Sequence, residues 1–205
     1  MNSCKLSEVK AIIQNPYYKA PSWIDDNIER REFVILDGDS SENDVELFLI
    51  ELLGYNNINI EQDIKLVMKE VLSQDEMVIA GGILFVGENR NIFPSCCCGL
   101  ESWNEILDAA IGKSSPWLGH DPYPCFEYVE NNIRIWSDDF KTKQSSEIYF
   151  VECDRDILIE KLKLIRNDLI KFSKGPLYKH ISKHISTHAD PIVQQFEKWF
   201  SLNLV

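Results

Sequence analysis

Apolar residues recur at helical spacing towards both ends of the chain and gather in short, β-rich runs between them. That order excludes the strict strand–helix alternation of a parallel-sheet fold and predicts the α+β class. Leu6, Val9, Ile12 and Ile13 fit one helix face, and Asn15-Pro16 ends the run, so the spacing predicts a short N-terminal helix. Phe33–Leu36 reads as a strand closed by Asp37-Gly38. Two helices follow, Val45–Leu53 with Gly54 as its left-handed terminator, and Gln62–Leu72.

The β-rich block starts with Met77–Ala80 and Ile83–Val86 around Gly81-Gly82, one bulged strand or two short ones. A helix over Trp103–Ile111 is expected to start on a capping box of Ser102 and Glu105. Cys125–Val129 and Ile133–Trp136 form a hairpin pattern, and Ile148–Val151 adds a third antiparallel strand. Asp154 caps a long amphipathic helix that Gly175-Pro176 is expected to break, and a terminal helix carries Ile192, Val193, Phe196, Trp199 and Phe200. The expectation is one domain over residues 1–205, with N-terminal helices, a central, mainly antiparallel sheet and C-terminal helices.

Composition limits the function classes. Residues 25–76 hold 15 acidic residues against four basic ones, whereas residues 154–205 hold six acidic against nine basic. Nucleic-acid binding needs cations against phosphates, so the acidic segment argues against it and suits a basic protein partner, with Asp37, Asp39, Glu42 and Asp44 as contacts. The first twenty residues contain Lys5, Glu8 and Lys10 and only the short apolar run Ala11–Ile13, neither a signal peptide nor a membrane span. The expected location is cytoplasmic, away from membranes, with the six cysteines reduced.

Two loops concentrate reactive side chains. Phe93-Pro94-Ser95-Cys96-Cys97-Cys98-Gly99 runs into a helix N-terminus, and Leu118-Gly119-His120-Asp121-Pro122 offers a His-Asp pair. Cys96, Cys97, Cys98, His120 and Asp121 are the ingredients of a nucleophilic Cys-His-Asp arrangement, although their spacing does not show that they meet. Cys96, Cys98, His120 and Cys125 are the donor types zinc accepts, but Cys-x-Cys beside a third cysteine is not a zinc-knuckle spacing, and the reading is of no metal and no cofactor.

Three further patterns carry less. His180, His184 and His188 would stripe one face of a continuous helix, with the outer pair about 12 Å apart, so only neighbours could share an ion. Gly112-Lys113-Ser114 ends like a phosphate-binding loop, yet Leu107 stands where its first glycine belongs. Asp37–Glu42 begins like a calcium loop, yet Glu42 replaces its glycine and Phe48 its final glutamate.

The Pro94–Leu100 loop with Trp103, followed by Leu118–Pro122 and a strand ending Ile133-Arg134-Ile135-Trp136, resembles a group of uncharacterised bacterial proteins over roughly residues 90 to 150. The resemblance implies a single intracellular domain and no activity. The loop has two adjacent cysteines in that group, and the third here departs from it. A small, acidic α+β chain is also similar in architecture to bacterial immunity proteins that neutralise toxins. The reading is therefore a non-enzymatic protein-binding module, such as an immunity-type partner of a basic toxin. The alternative is a cysteine- or metal-dependent enzyme with a site formed by the Cys96–Cys98 and His120-Asp121 loops.

Overall fold

The structure is a computed structural model that describes residues 3–25, 27–142 and 147–203. It has the α+β class, with one mixed sheet. Two compact units divide the chain, Met1–Ala11 with Gly81–Arg166, and Ile12–Ala80 with Asn167–Val205.

In the first unit the strand order is β4-β3-β1-β7-β6-β5, where β1 is Ser3–Gln14, β3 Gly81–Gly87, β4 Asn91–Ile92, β5 Cys125–Val129, β6 Asn132–Trp136 and β7 Phe150–Asp154. β5 and β6 form the expected hairpin, with Phe126 opposite Ile135 and Tyr128 opposite Ile133. β6 pairs antiparallel with β7, and β1 pairs parallel with β7, Cys4 opposite Val151. Ile133, Ile135 and Val151 are fully buried on the inner face.

The predicted N-terminal helix is therefore a strand. Leu6, Val9, Ile12 and Ile13 satisfy a helical period over so short a run, but the backbone of this segment finds its partners in β7, β3 and the short strand Phe33–Ile35. Long-range pairing overrides a weak local preference. Of the Met77–Val86 run, only Gly81 onwards is strand, and a Cβ on Gly82 would press on the Pro94 ring at 3.1 Å. The helix α3, Trp103–Gly112, lacks the predicted Ser102 cap bond because a short 3₁₀ turn, Leu100–Ser102, runs directly into it.

In the second unit the end of β1 pairs antiparallel with β2, Phe33–Ile35. Helix α1, Glu42–Tyr55, starts on a capping box in which Ser41 and Asp44 satisfy each other's backbone N–H. It runs through Gly54, which was expected to end it. The Asn56 side chain instead closes the helix, donating to Leu52 O and Val78 O at 2.7 Å. Gly54 leaves space for the Tyr18 ring, which a Cβ would overlap. Helix α2, Ile64–Leu72, is capped by Asp63.

Helix α4, Arg155–Phe172, begins in the first unit on an Asp154 cap and ends in the second. Gly175-Pro176 does not break the helical path. The backbone widens into a π-helical turn, Ser173–Leu177, and continues as α5, Tyr178–Trp199. A widened turn accommodates a residue without an N–H. Phe48, Phe172 and Phe196 meet edge-on or tilted with ring centroids 5.2–5.7 Å apart and form the core of this unit. Among the described residues, no helix is long and apolar enough to cross a membrane.

Candidate functional site

The two reactive loops meet in the first unit. Ser95 N donates to Leu118 O at 2.9 Å and His120 N to Cys96 O at 3.3 Å, an isolated antiparallel bridge between Cys96 and His120. The Ser95 hydroxyl adds a 2.7 Å bond to His120 O. Gly119 is what permits this approach. Its φ is +91°, and a Cβ there would lie 2.5 Å from Cys96 O and 2.7 Å from the Ser95 carbonyl carbon. Cys97, at φ 65°, turns the chain so that Cys98 N bonds back to Ser95 O and Cys98 O accepts from Gly81 N.

The bridge sets Cys96 Sγ 2.6 Å from His120 Nδ1 and 2.7 Å from His120 O. Both residues are exposed. Trp117, itself half-exposed, stands edge-on to the His120 ring and to Tyr123, with centroids 6.0 and 5.7 Å away. Ser95 and Pro122 also line a cleft of 380 Å³ with Phe93, Asp138 and Tyr149.

The three adjacent thiols are not equivalent. Desolvation, the charge of Cys96 and a hydrogen bond to it raise the Cys97 thiol above its ordinary range. Burial pushes Cys98 up to about 11. Burial likewise raises Cys125, and pushes Cys153 up to about 12. All six cysteines are free. Of the three adjacent thiols, Cys96 has its sulfur at 2.6 Å from an imidazole nitrogen, within the reach a nucleophile and its base require.

The structure thus joins Cys96 to His120, which spacing alone did not show, and leaves the other expected members outside. Asp121 is exposed and bonds to neither His120 ring nitrogen, so the third member of a Cys-His-Asp arrangement is not in place. The zinc donor set that spacing argued against, Cys96, Cys98, His120 and Cys125, is not assembled either. Cys96, Cys97 and His120 cluster with donor atoms within 4.8 Å of one another, while Cys98 turns into the loop and Cys125 faces Asp138 O at 3.9 Å. The left-handed turn at Cys97 is the reason, and nothing in a run of three cysteines signals which one turns.

The four acidic residues expected to meet a basic partner lie around the start of α1. Asp44 is committed to the capping box and to Arg31 Nη1 at 2.8 Å. Glu42 pairs with Lys183 Nζ at 2.8 Å, and that hydrogen bond lowers its carboxyl below the usual range. Asp37 accepts from Asp39 N at 2.9 Å within the turn. Two of the four are thus bound to cations of the chain itself.

The histidine stripe is interrupted, because Ile185, at φ −148° and ψ 86°, kinks α5 between His184 and His188. Sequence reading also missed a wide surface hollow of 610 Å³ in the first unit, where Glu152 lies among Cys4, Lys5 and Asn132 and is held at 2.8 Å by both Asn132 and Arg134. Comparison of the chain with protein-family models, curated proteins and solved structures finds no match.

Proposed function

We propose that this chain is a cysteine-dependent enzyme working by covalent catalysis, with Cys96 as nucleophile and His120 as its general base. The reading rests on the 2.6 Å contact between Cys96 Sγ and His120 Nδ1, held by a backbone bridge and open to solvent.

In this scheme His120 Nδ1 takes the thiol proton and the sulfur attacks an acyl carbon. The carbon–sulfur bond forms, the bond to the leaving group breaks, and the imidazolium returns the proton to that group. Water, deprotonated by the same nitrogen, then releases the acid and restores the thiol. The Cys97 N–H follows the nucleophile directly in the chain and donates to no group among the described residues, which suits an oxyanion donor. Pro122 and Ser95 direct the adjacent cleft towards the same loop pair.

Timed alkylation with iodoacetamide, read by peptide mass spectrometry, tests the assignment. Cys96 is expected to react first, and His120→Ala is expected to slow it by at least about tenfold near neutral pH, where an unassisted cysteine is only a few per cent thiolate. Equal rates at Cys96, Cys97 and Cys98, or an unchanged Cys96 rate in His120→Ala, would remove the basis of the reading.

A further inference from the structure

His180, in the second unit, has an environment that thiol chemistry does not explain. It is 3% exposed, and neither ring nitrogen has a hydrogen-bond partner. Buried polar groups are almost always bonded, because an unpaired one costs free energy. The ring lines a cavity of 330 Å³ with Ser40, Ser41, Glu42, Lys179 and Lys183, directly after the π-helical turn. Such turns recur at functional sites.

Two carboxylates approach it from α1. Glu42 Oε1 lies 3.6 Å from His180 Nδ1, beyond hydrogen-bond length. Glu46 is one turn further along the helix, and a donor atom from each of the three residues lies within 4.8 Å of the others. Two ligands of a tetrahedral zinc ion, each roughly 2.1 Å from the metal, sit about 3.4 Å from each other. The Glu42–His180 gap is thus close to the edge of a zinc tetrahedron and wrong for a direct bond.

We propose that Glu42, Glu46 and His180 form a binding site for a divalent transition metal of the zinc type, with its fourth position open to the cavity. Lys183, at 2.8 Å from Glu42, acts as the counter-ion in the metal-free state and moves off when the metal enters. Lys179 is the other cation lining the cavity and weakens binding without contacting the ligands. The site is independent of the thiol chemistry at Cys96.

The experiment uses the full chain, stripped of metal and titrated with zinc chloride by calorimetry and with cobalt(II) by visible spectroscopy. The expected result is one equivalent bound with cobalt d–d bands that lack thiolate-to-metal charge transfer, since the donors are nitrogen and oxygen. Glu46→Gln and His180→Gln are each expected to weaken that binding by at least about tenfold, and Lys183→Met to strengthen it. Circular dichroism checks that each variant is folded. If His180→Gln fails to fold, Glu46→Gln and Lys183→Met decide. A cobalt spectrum of thiolate type alone would report Cys96 and Cys97 and overturn the assignment, as would unchanged affinity in folded Glu46→Gln.

Discussion

The Cys96–His120 loops and the Glu42–Glu46–His180 cluster each bring a histidine against potential reactants, by opposite means. In the first unit the backbone does the positioning. Two hydrogen bonds and a glycine without room for a Cβ hold the loops together, and both reactive side chains stay exposed. In the second unit helices do it, α1 presenting carboxylates one turn apart and α5 burying a ring that bonds to nothing. The contrast predicts that single-atom backbone changes disable the loop site, whereas side-chain charge governs the helix site.

The largest effect is expected from Gly119→Ala. The new Cβ would meet backbone atoms of Ser95 and Cys96, which have no flexible side chain to yield, at a φ that alanine rarely adopts. A loss on the order of 3 kcal/mol is expected by chemical denaturation. Preferential alkylation of Cys96 should be lost with it, because the bridge that seats the sulfur on His120 is parted. A variant that kept both the stability and the Cys96 preference would show that the loop site does not depend on its backbone, and the comparison would fail.

Next in size is Glu51, on α1, which is 1% exposed and has an oxygen with no partner. Burial pushes its carboxyl from 4.5 up to about 7. The folded state therefore holds a proton that the unfolded chain releases first. The contribution of Glu51 is fully favourable below pH 4.5 and is lost as pH rises through 7, levelling at about 3 kcal/mol by linkage. Glu51→Gln carries no charge and should remove this loss. Urea unfolding at pH 5 and pH 8 checks it, with the variant gaining on the parent far more at the higher pH, by about 3 kcal/mol against about 1 kcal/mol. An equal difference at both values would mean that charge does not govern this helix.

The same contrast explains what the sequence disclosed. The cysteine and His-Asp loops were legible as local clusters of Cys, Gly and Pro, and the helices α1 to α4 as apolar periodicities. The pairing of Cys96 with His120 was not, because it depends on Gly119 facing Ser95 across a bridge that no spacing encodes. Glu42 and His180 come from opposite ends of the chain, and each looked like part of a solvated face or a helix stripe when read alone. The strand at Ser3–Gln14 was hidden for the same reason, since the partners that make it a strand lie at Phe33–Ile35, Gly81–Gly87 and Phe150–Asp154. Local chemistry was readable, and long-range pairing was not.

The smallest expected effect separates the two sites most cleanly. Ser41 Oγ accepts from Asp44 N at 3.2 Å, while Asp44 Oδ2 accepts from Ser41 N at 2.8 Å, so this reciprocal pair fixes the first turn of α1. Glu42 is the first residue of that turn and Glu46 the first of the next. Ser41→Ala removes one half of the box and should cost about 1 kcal/mol of stability. Fraying at the first turn moves Glu42 before Glu46, so zinc affinity should fall only about threefold, less than in Glu46→Gln, because a frayed turn still samples the bound geometry. The alkylation rate of Cys96 should not change, since the hydrogen bonds that seat it on His120 are made by Ser95, Leu118 and His120 themselves. A change at Cys96 of the same size as the change in zinc binding would show that the two sites respond as one, and that their separation into a backbone-built and a helix-built site is wrong.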